Sequence, residues 1–269
     1  MRIALHFKQL IIAFLALSIA FVGVMVAHEA QALTDIDDVG SDSLIRGETF
    51  SAVYYMGADG FRYVFPNSNT YFTWYDDFDA VKMISDSDLA TIQIGGNVTY
   101  RPGSSMIKIQ SDPKTYAVAQ GGTLRHIDSE EVAVALYGSA WNTHIDDVSD
   151  GFFTNYNIGD VVEDADDYSI SDEQDASDSI NDDKGLEEPE LIELTSDGFD
   201  PIDVTIDAGQ VVQFINTDTE KHSVTADDLS WGSGTMQSDG EYVHRFEEEG
   251  TYTFFDSYDS SNTGAIYVE

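Results

Sequence analysis

The side chains of this chain that are able to do chemistry are imidazoles and carboxylates. Six histidines are scattered along 269 residues and there is no cysteine, which excludes thiolate redox chemistry and thiolate metal sites. His6 and His28 fall in the N-terminal leader. Carboxylates are so abundant, 50 Asp plus Glu against 12 Lys plus Arg, that no pair stands out as the acid and base of a glycosidase. There is no G-x-S-x-G, no P-loop, no dinucleotide fingerprint and no H-E-x-x-H, the motifs that place a nucleophile, a phosphate or a catalytic zinc. Gly232-Ser233-Gly234 reads as a loop rather than a nucleophile elbow. An enzyme is therefore not expected, and any site must come from a few side chains gathered by the fold.

The formal net charge is −38, and phosphate contacts need a basic face, so nucleic-acid binding is excluded. Such acidity arises from a disordered acidic segment or from a solvated acidic surface on a folded protein. Of the 50 acids, 14 fall in 160–190 and the remainder lie elsewhere. The acidity thus pervades the folded parts, which points to a saline or halophilic habitat and to loose binding of divalent cations.

The elements that must position a site are clearest in residues 198–269. Val204, Ile206, Val211, Phe214 and Ile215 are apolar positions broken by the turn Asp207-Ala208-Gly209, and Tyr242, His244 and Phe246 alternate up to the turn Glu249-Gly250. Tyr252, Phe254, Ile266 and Val268 complete the pattern. Period-2 alternation between Gly and Asp turns marks short half-buried strands. Several of them within about 70 residues predict a small β-sandwich or Greek-key barrel.

Three phrases, GFDPIDVTIDAGQVVQFINTDTEKHSV, GEYVHRFEEEGTYTF and the closing TGAIYVE, resemble the cupredoxins, the blue-copper fold. The resemblance covers nearly all of 190–269. It implies that His222 stands at the first copper-ligand position, with the other ligands expected from a C-x-x-H-x-x-M run after the G-T-Y strand. That run is 256–262 here. Asp256 occupies the Cys position, Asp259 the second His position and Asn262 the Met position. A blue-copper centre requires a thiolate, two imidazoles and a weak axial thioether, so the resemblance supports the fold and argues against the usual activity of the family. Three states are open for His222, Asp256, Asp259 and Asn262. His222 pairs with a carboxylate in place of metal; or one imidazole plus carboxylates forms a hard-donor site for Zn, Mn or Ca; or nitrogen and oxygen donors hold Cu(II) weakly. His244 shares a strand face with Tyr242 and Phe246 and is expected to be packed.

Residues 1–32 read as a targeting segment, with Arg2 and Lys8, an apolar or small-residue run over 10–27 and the A-x-A site Ala30-Gln31-Ala32. Export follows, with membrane contact only through this segment if it stays uncleaved. Residues 33–43 form a spacer. Residues 44–159 repeat themselves: Tyr54 matches Tyr116, Gly60 matches Gly122 and Arg62 matches Arg125, the mark of duplicated supersecondary units. This module resembles repeats of exported bacterial surface proteins. Short helices are expected at 76–81 and 129–137, each with an Asp or Ser at its start. Tyr54, Tyr55, Tyr63, Phe65, Tyr71, Phe72, Trp74 and Tyr75 are expected in a β-rich core, with a glycan-binding surface as the alternative. Arg62 and Arg125 are expected in structural ion pairs. Residues 160–188, rich in Asp, Ser and Glu, read as an acidic disordered linker that lets the two domains move independently, and 189–269 is the cupredoxin-like domain.

The expected protein is mainly β: a C-terminal cupredoxin-like Greek-key β-sandwich plus an N-terminal duplicated β-rich module with short helices. Its expected role is non-catalytic binding or structure, secreted or at the cell surface, toward an envelope or extracellular partner such as a glycan. No cofactor is expected; a divalent metal ion held by a rebuilt site in the sandwich is the alternative.

Overall fold

Two five-stranded sheets build the N-terminal module. β1 (Leu44–Gly47), β2 (Tyr54–Met56), β3 (Arg62–Val64), β4 (Val81–Ile84) and β5 (Ile94–Asn97) form the first, in the order β4-β1-β2-β3-β5. β6 (Met106–Ile109), β7 (Asp112–Ala119), β8 (Thr123–His126), β9 (Ile145–Asp147) and β10 (Asn157–Ile158) form the second, in the order β10-β8-β7-β6-β9. Each sheet is an antiparallel three-stranded meander flanked by two parallel strands. Gly60 and Gly122 both turn the chain ahead of the third strand at positive φ, +80° and +66°, where a Cβ would be strained. This computed structural model describes residues 32–269, and the leader expected over 1–32 lies almost wholly outside them. Among the described residues no helix is long and apolar enough to cross a membrane.

The helices are short and mostly capped. α1 (Ser68–Trp74) begins at Asn67, whose side chain accepts from Thr70 N. α2 (Asp86–Thr91) begins at Ser85, and α3 (Glu130–Tyr137) at Ser129, which accepts from Val132 N. α3 lies where the capping Ser predicts it. The helix expected at 76–81 is absent: those residues are a turn leading into β4, and helices stand on either side of it. Aromatic side chains fill the first core. Tyr55, Tyr63 and Tyr71 are at most 2% exposed, and Phe65 packs with them. Phe72 lies outside that core, half exposed. Neither matched arginine forms the expected ion pair. Arg62 lies over the Tyr54 ring at 4.7 Å, and Arg125 donates to the carbonyls of Asp160 and Asp167 at 3.1 and 2.5 Å.

The segment 160–188 is ordered, contrary to its reading as a disordered linker. α4 (Asp150–Phe153) precedes it, and the segment itself carries α5 (Ile170–Asp175) and α6 (Ile180–Lys184). Val162, Tyr168 and Ile180 are buried. Tyr168 donates to Val118 O at 2.6 Å, and Asn181 accepts from Ala58 N at 2.9 Å. Gln120 Nε2 donates to Asp182 O at 2.9 Å. The segment thus ties the two sheets together. A few apolar anchors outweigh the composition, and the carboxylates sit at helix starts, where Asp182 completes a capping box with Ser179.

The C-terminal part is a β-sandwich. One sheet has the order β12-β11-β14-β16 and the other β13-β18-β17-β15. The strands are β11 (Glu190–Thr195), β12 (Gly198–Asp200), β13 (Asp203–Ile206), β14 (Val211–Asn216), β15 (Thr225–Ala226), β16 (Glu241–Arg245), β17 (Gly250–Phe255) and β18 (Thr263–Val268). Alternate residues from both sheets meet in one core, which includes Ile192, Val204, Phe214, Phe254 and Ile266. Phe254 meets Phe199 and Phe214 edge-on, with ring centroids 4.8 and 5.4 Å apart. Such pairs add about 0.5–1.5 kcal/mol each beyond burial.

β14 buries one face along its length and the other at Val211. Val212 and Phe214 enter the sandwich core, whereas Val211 packs in the N-terminal core beside Phe61 and Ile180. The sandwich is therefore packed against the module, and residues 32–269 form one compact unit. Arg245, on the same outward face as Val243, donates to Asp59 and, at 2.6 Å, to the Tyr63 hydroxyl. Gln93 donates to Val243 O at 3.0 Å.

Candidate functional site

His222 lies in the connection between β14 and β15, where its backbone exchanges hydrogen bonds with Met236 at 3.2 and 2.9 Å. This bridge fixes the imidazole against the end of the sandwich. Asp256 follows directly after β17 and is 1% exposed. The sheet pairing of β15 with β17 brings these two residues together across 34 positions of sequence. His222 Nδ1 is 2.7 Å from Asp256 Oδ2. Its other nitrogen, Nε2, is 3.2 Å from Asp218 Oδ2, one helical turn's spacing earlier in the chain.

The second oxygen of Asp256 is also fully engaged. Asp256 Oδ1 accepts from Ser223 N at 2.9 Å, Ser223 Oγ at 3.2 Å and Tyr258 N at 3.0 Å. Ser223 Oγ in turn accepts from Ser257 N at 2.7 Å. A carboxylate buried with this set of donors is a satisfied structural anion.

Neither Asp259 nor Asn262 bonds a ring nitrogen of His222, although the His222 charge contributes to lowering the Asp259 pKa. Asp259 is exposed and accepts from Ser261 N and Oγ at 3.0 and 2.6 Å. The Ser261 hydroxyl and then its backbone N–H hold the Asp259 carboxyl below the usual carboxylate range. Asn262 closes the turn: its carbonyl accepts from Asp256 N at 3.0 Å, and its own N donates to Asp259 O at 2.9 Å. The Asn262 amide lies over Gly198, where a Cβ would come within 3.0 Å of its oxygen. The loop 256–262 keeps its shape through these bonds.

Burial opposes the charge on His222, but the hydrogen bonds and negative charge of Asp256 and Asp218 outweigh it and raise the pKa above the ordinary histidine value. Asp218 is held below the usual range, first by its hydrogen bond to His222. The favoured state is an imidazolium donating to a carboxylate on each side. A metal ligand must direct a nitrogen lone pair at the ion, and here both ring nitrogens face carboxylates. A type 1 copper centre does not fit this donor set: there is no thiolate, and His222 is the imidazole of the cluster. Among the described residues no group of three or more His, Cys, Asp or Glu side chains is placed to hold a metal ion. Ser223, His222 and Asp256 do not make a hydrolytic triad either. The Ser223 hydroxyl meets Asp256 rather than a ring nitrogen, so no base is positioned on it.

His244 is a packed side chain. Its ring stacks on Trp231 with centroids 4.8 Å apart and meets Phe246 edge-on at 4.8 Å. Burial lowers its pKa. Sequence reasoning missed Asp218, four residues before His222, although that spacing was visible. It also missed the buried Asp59–Arg245 pair, for which the only hint was an arginine on a strand of a base-poor chain.

No protein-family model matches the chain, and no curated protein matches it. Solved structures similar to it are cupredoxins and a copper enzyme. A purple cupredoxin from Nitrosopumilus maritimus is 21% identical over 30% of this chain and 99% of its own, with a TM-score of 0.28. A Cu-containing nitrite reductase from Thermus scotoductus is 20% identical over 30% of this chain and 22% of its own, with a TM-score of 0.29. A copper(I) amicyanin variant is 21% identical over 30% of this chain and 82% of its own, also at 0.29. The copper belongs to those proteins.

Proposed function

We propose that the chain is an exported, non-catalytic binding or structural protein of the cell envelope or extracellular space. Its cupredoxin-like sandwich serves as a scaffold and interaction surface without a type 1 copper centre. The observation that carries this proposal is the clamp on His222, whose Nδ1 and Nε2 are taken by Asp256 and Asp218. Asp256 fixes the imidazole and ties the connection after β14 to the end of β17, and Asp218 holds the other ring nitrogen from within that connection. The charge of −38 suits a protein that stays soluble in brine.

The test is metal content and metal-dependent melting of the chain beside His222→Ala, in high salt, with Cu, Zn, Mn and Ca. A metal bound only by the native state stabilises it by about 2.7 kcal/mol at a hundredfold excess over Kd. For a chain of this size that is a rise of roughly 5–10 °C. The expected result is no stoichiometric metal and no His222-dependent shift. A stoichiometric metal whose shift disappears in His222→Ala would replace the scaffold role with metal binding or electron transfer at His222, Asp256 and Asp259.

A further inference from the structure

A cavity of about 480 Å³ opens beside α1 and the first sheet. Phe65, Tyr71 and Phe78 form its aromatic wall, and Asn67, Ser68 and Asn97 add polar groups. No Asp, Glu, Lys or Arg lines it, on a chain with 50 acidic residues. Phe78 stacks on Tyr71 with ring centroids 4.4 Å apart and planes 23° from parallel. Tyr71 is 1% exposed and Phe78 is 49% exposed. A buried ring thus holds an open one in place, so an aromatic face meets solvent in a fixed orientation.

The two amides are oriented as well. Asn67 Oδ1 is committed to the start of α1, accepting from Thr70 N at 2.9 Å, which leaves its NH2 group as a donor. Asn97 Nδ2 donates to Asn155 Oδ1 at 3.0 Å, which leaves its oxygen as an acceptor. The cavity therefore offers a flat apolar face, one held donor, one held acceptor and neighbouring hydroxyls, all uncharged.

Different ligands would meet this lining differently. An anion would find no cation in the wall and a strongly negative chain around it. A cation would find no carboxylate inside. A wholly apolar ligand would strip water from the amides without replacing their hydrogen bonds. A pyranose ring has an apolar C–H face and a rim of neutral hydroxyls, which matches both features. We propose that this cavity is a binding site for a neutral oligosaccharide, with one sugar ring stacked on Phe78 and its hydroxyls bonded to Asn67 and Asn97. This supplies a ligand class for the binding role proposed above and rests on that role, but not on the state of His222.

The experiment titrates the full chain with neutral trisaccharides of glucan, mannan, galactan and N-acetylglucosamine type, with trigalacturonate as the anionic control. Binding is read by saturation-transfer NMR and calorimetry up to about 10 mM, the weak end of specific recognition. At least one neutral trisaccharide is expected to bind saturably, and Phe78→Ala to weaken it by about tenfold or more. Asn67→Asp keeps the helix cap, removes the donor and adds a charge, so it is expected to weaken binding with the melting temperature held. No binding by any neutral trisaccharide overturns the proposal. So does binding that is unchanged in Phe78→Ala, or tighter binding of trigalacturonate. A null result here leaves the metal titration of His222 unaffected, so the two failures are separable.

Discussion

Replacing Arg245 with Met tests whether the buried ion pair between the module and the sandwich holds them together. Asp59 is 2% exposed. Its carboxylate accepts from Phe61 N at 3.2 Å, the Tyr63 hydroxyl at 2.5 Å and the Arg245 guanidinium. Burial and the Asp59 hydrogen bond push the Tyr63 phenol far above its ordinary pKa, so it remains a donor. Met keeps an apolar stem in place of the arginine's but loses the guanidinium, whose carbon lies 5.2 Å from the Phe61 ring centroid. What is lost is the cation. Removing one partner of a buried pair costs about 3–5 kcal/mol because the other charge is left uncompensated. Asp59 keeps two donors after the change, which places the expectation at the lower end, about 3 kcal/mol. For a chain of this size that lowers the melting temperature by roughly 6–12 °C.

Asp59→Asn is expected to cost less, because the Arg245 side chain, 23% exposed, still reaches water. Urea denaturation is the appropriate assay, since guanidinium would screen the pair. A double-mutant cycle with Asp59→Asn should return a coupling of about 1–3 kcal/mol. Faster proteolysis at 185–189 in the Arg245→Met variant would report separation of the two parts. A loss below about 0.5 kcal/mol, additive with Asp59→Asn, would refute the pair as the clasp and leave Val211 and its neighbours to hold the interface.

Three further outcomes follow from the same geometry. Ile180→Ala should destabilise the chain by about 2–5 kcal/mol in urea, because Ile180 is fully buried; no change would return 160–188 to the status of a solvated linker. The raised pKa of His222 contributes stability that is complete below about pH 6.5, the ordinary histidine value, and is lost as pH rises through the folded-state pKa. His222→Gln should remove that decline from a melting series between pH 5 and 9, and an unchanged profile would refute the imidazolium clamp. Burial raises Asp183 to about 6, a penalty absent at pH low enough to protonate it in both states and growing as pH rises toward 6. Asp183→Asn still accepts from Gly121 N, so it should be the more stable form above about pH 6 by about 3 kcal/mol and match the parent near pH 3. Equal stability at both ends would exclude burial as the cause.

Much of the fold was legible because its signals are local. The alternation through Val204, Ile206, Phe214, Phe254, Ile266 and Val268 marks strands whatever they pack against, and all six lie in the sandwich core. Ser129 announced α3 through a cap that spans three residues. The linker was misread because composition averages over a segment, whereas order there depends on individual anchors. Val162, Tyr168 and Ile180 are few, but each is buried against elements distant in sequence. The spacing Ser179-x-x-Asp182 was the local signal that could have shown α6. Val211 and Val212 adjoin, so alternation alone does not say that Val211 packs in the N-terminal core.

For the candidate site, the sequence alone determined which donors exist. With no cysteine in the sequence, no thiolate ligand is available to any metal. Only the tertiary structure decided what His222 touches. A ring nitrogen's partner depends on a contact across 34 residues and on the direction of a side chain, and neither is encoded in local periodicity. The same holds for Asp59 and Arg245, 186 residues apart. Strand formation follows from short-range pattern, but charge pairing follows from which surfaces the folded chain brings face to face.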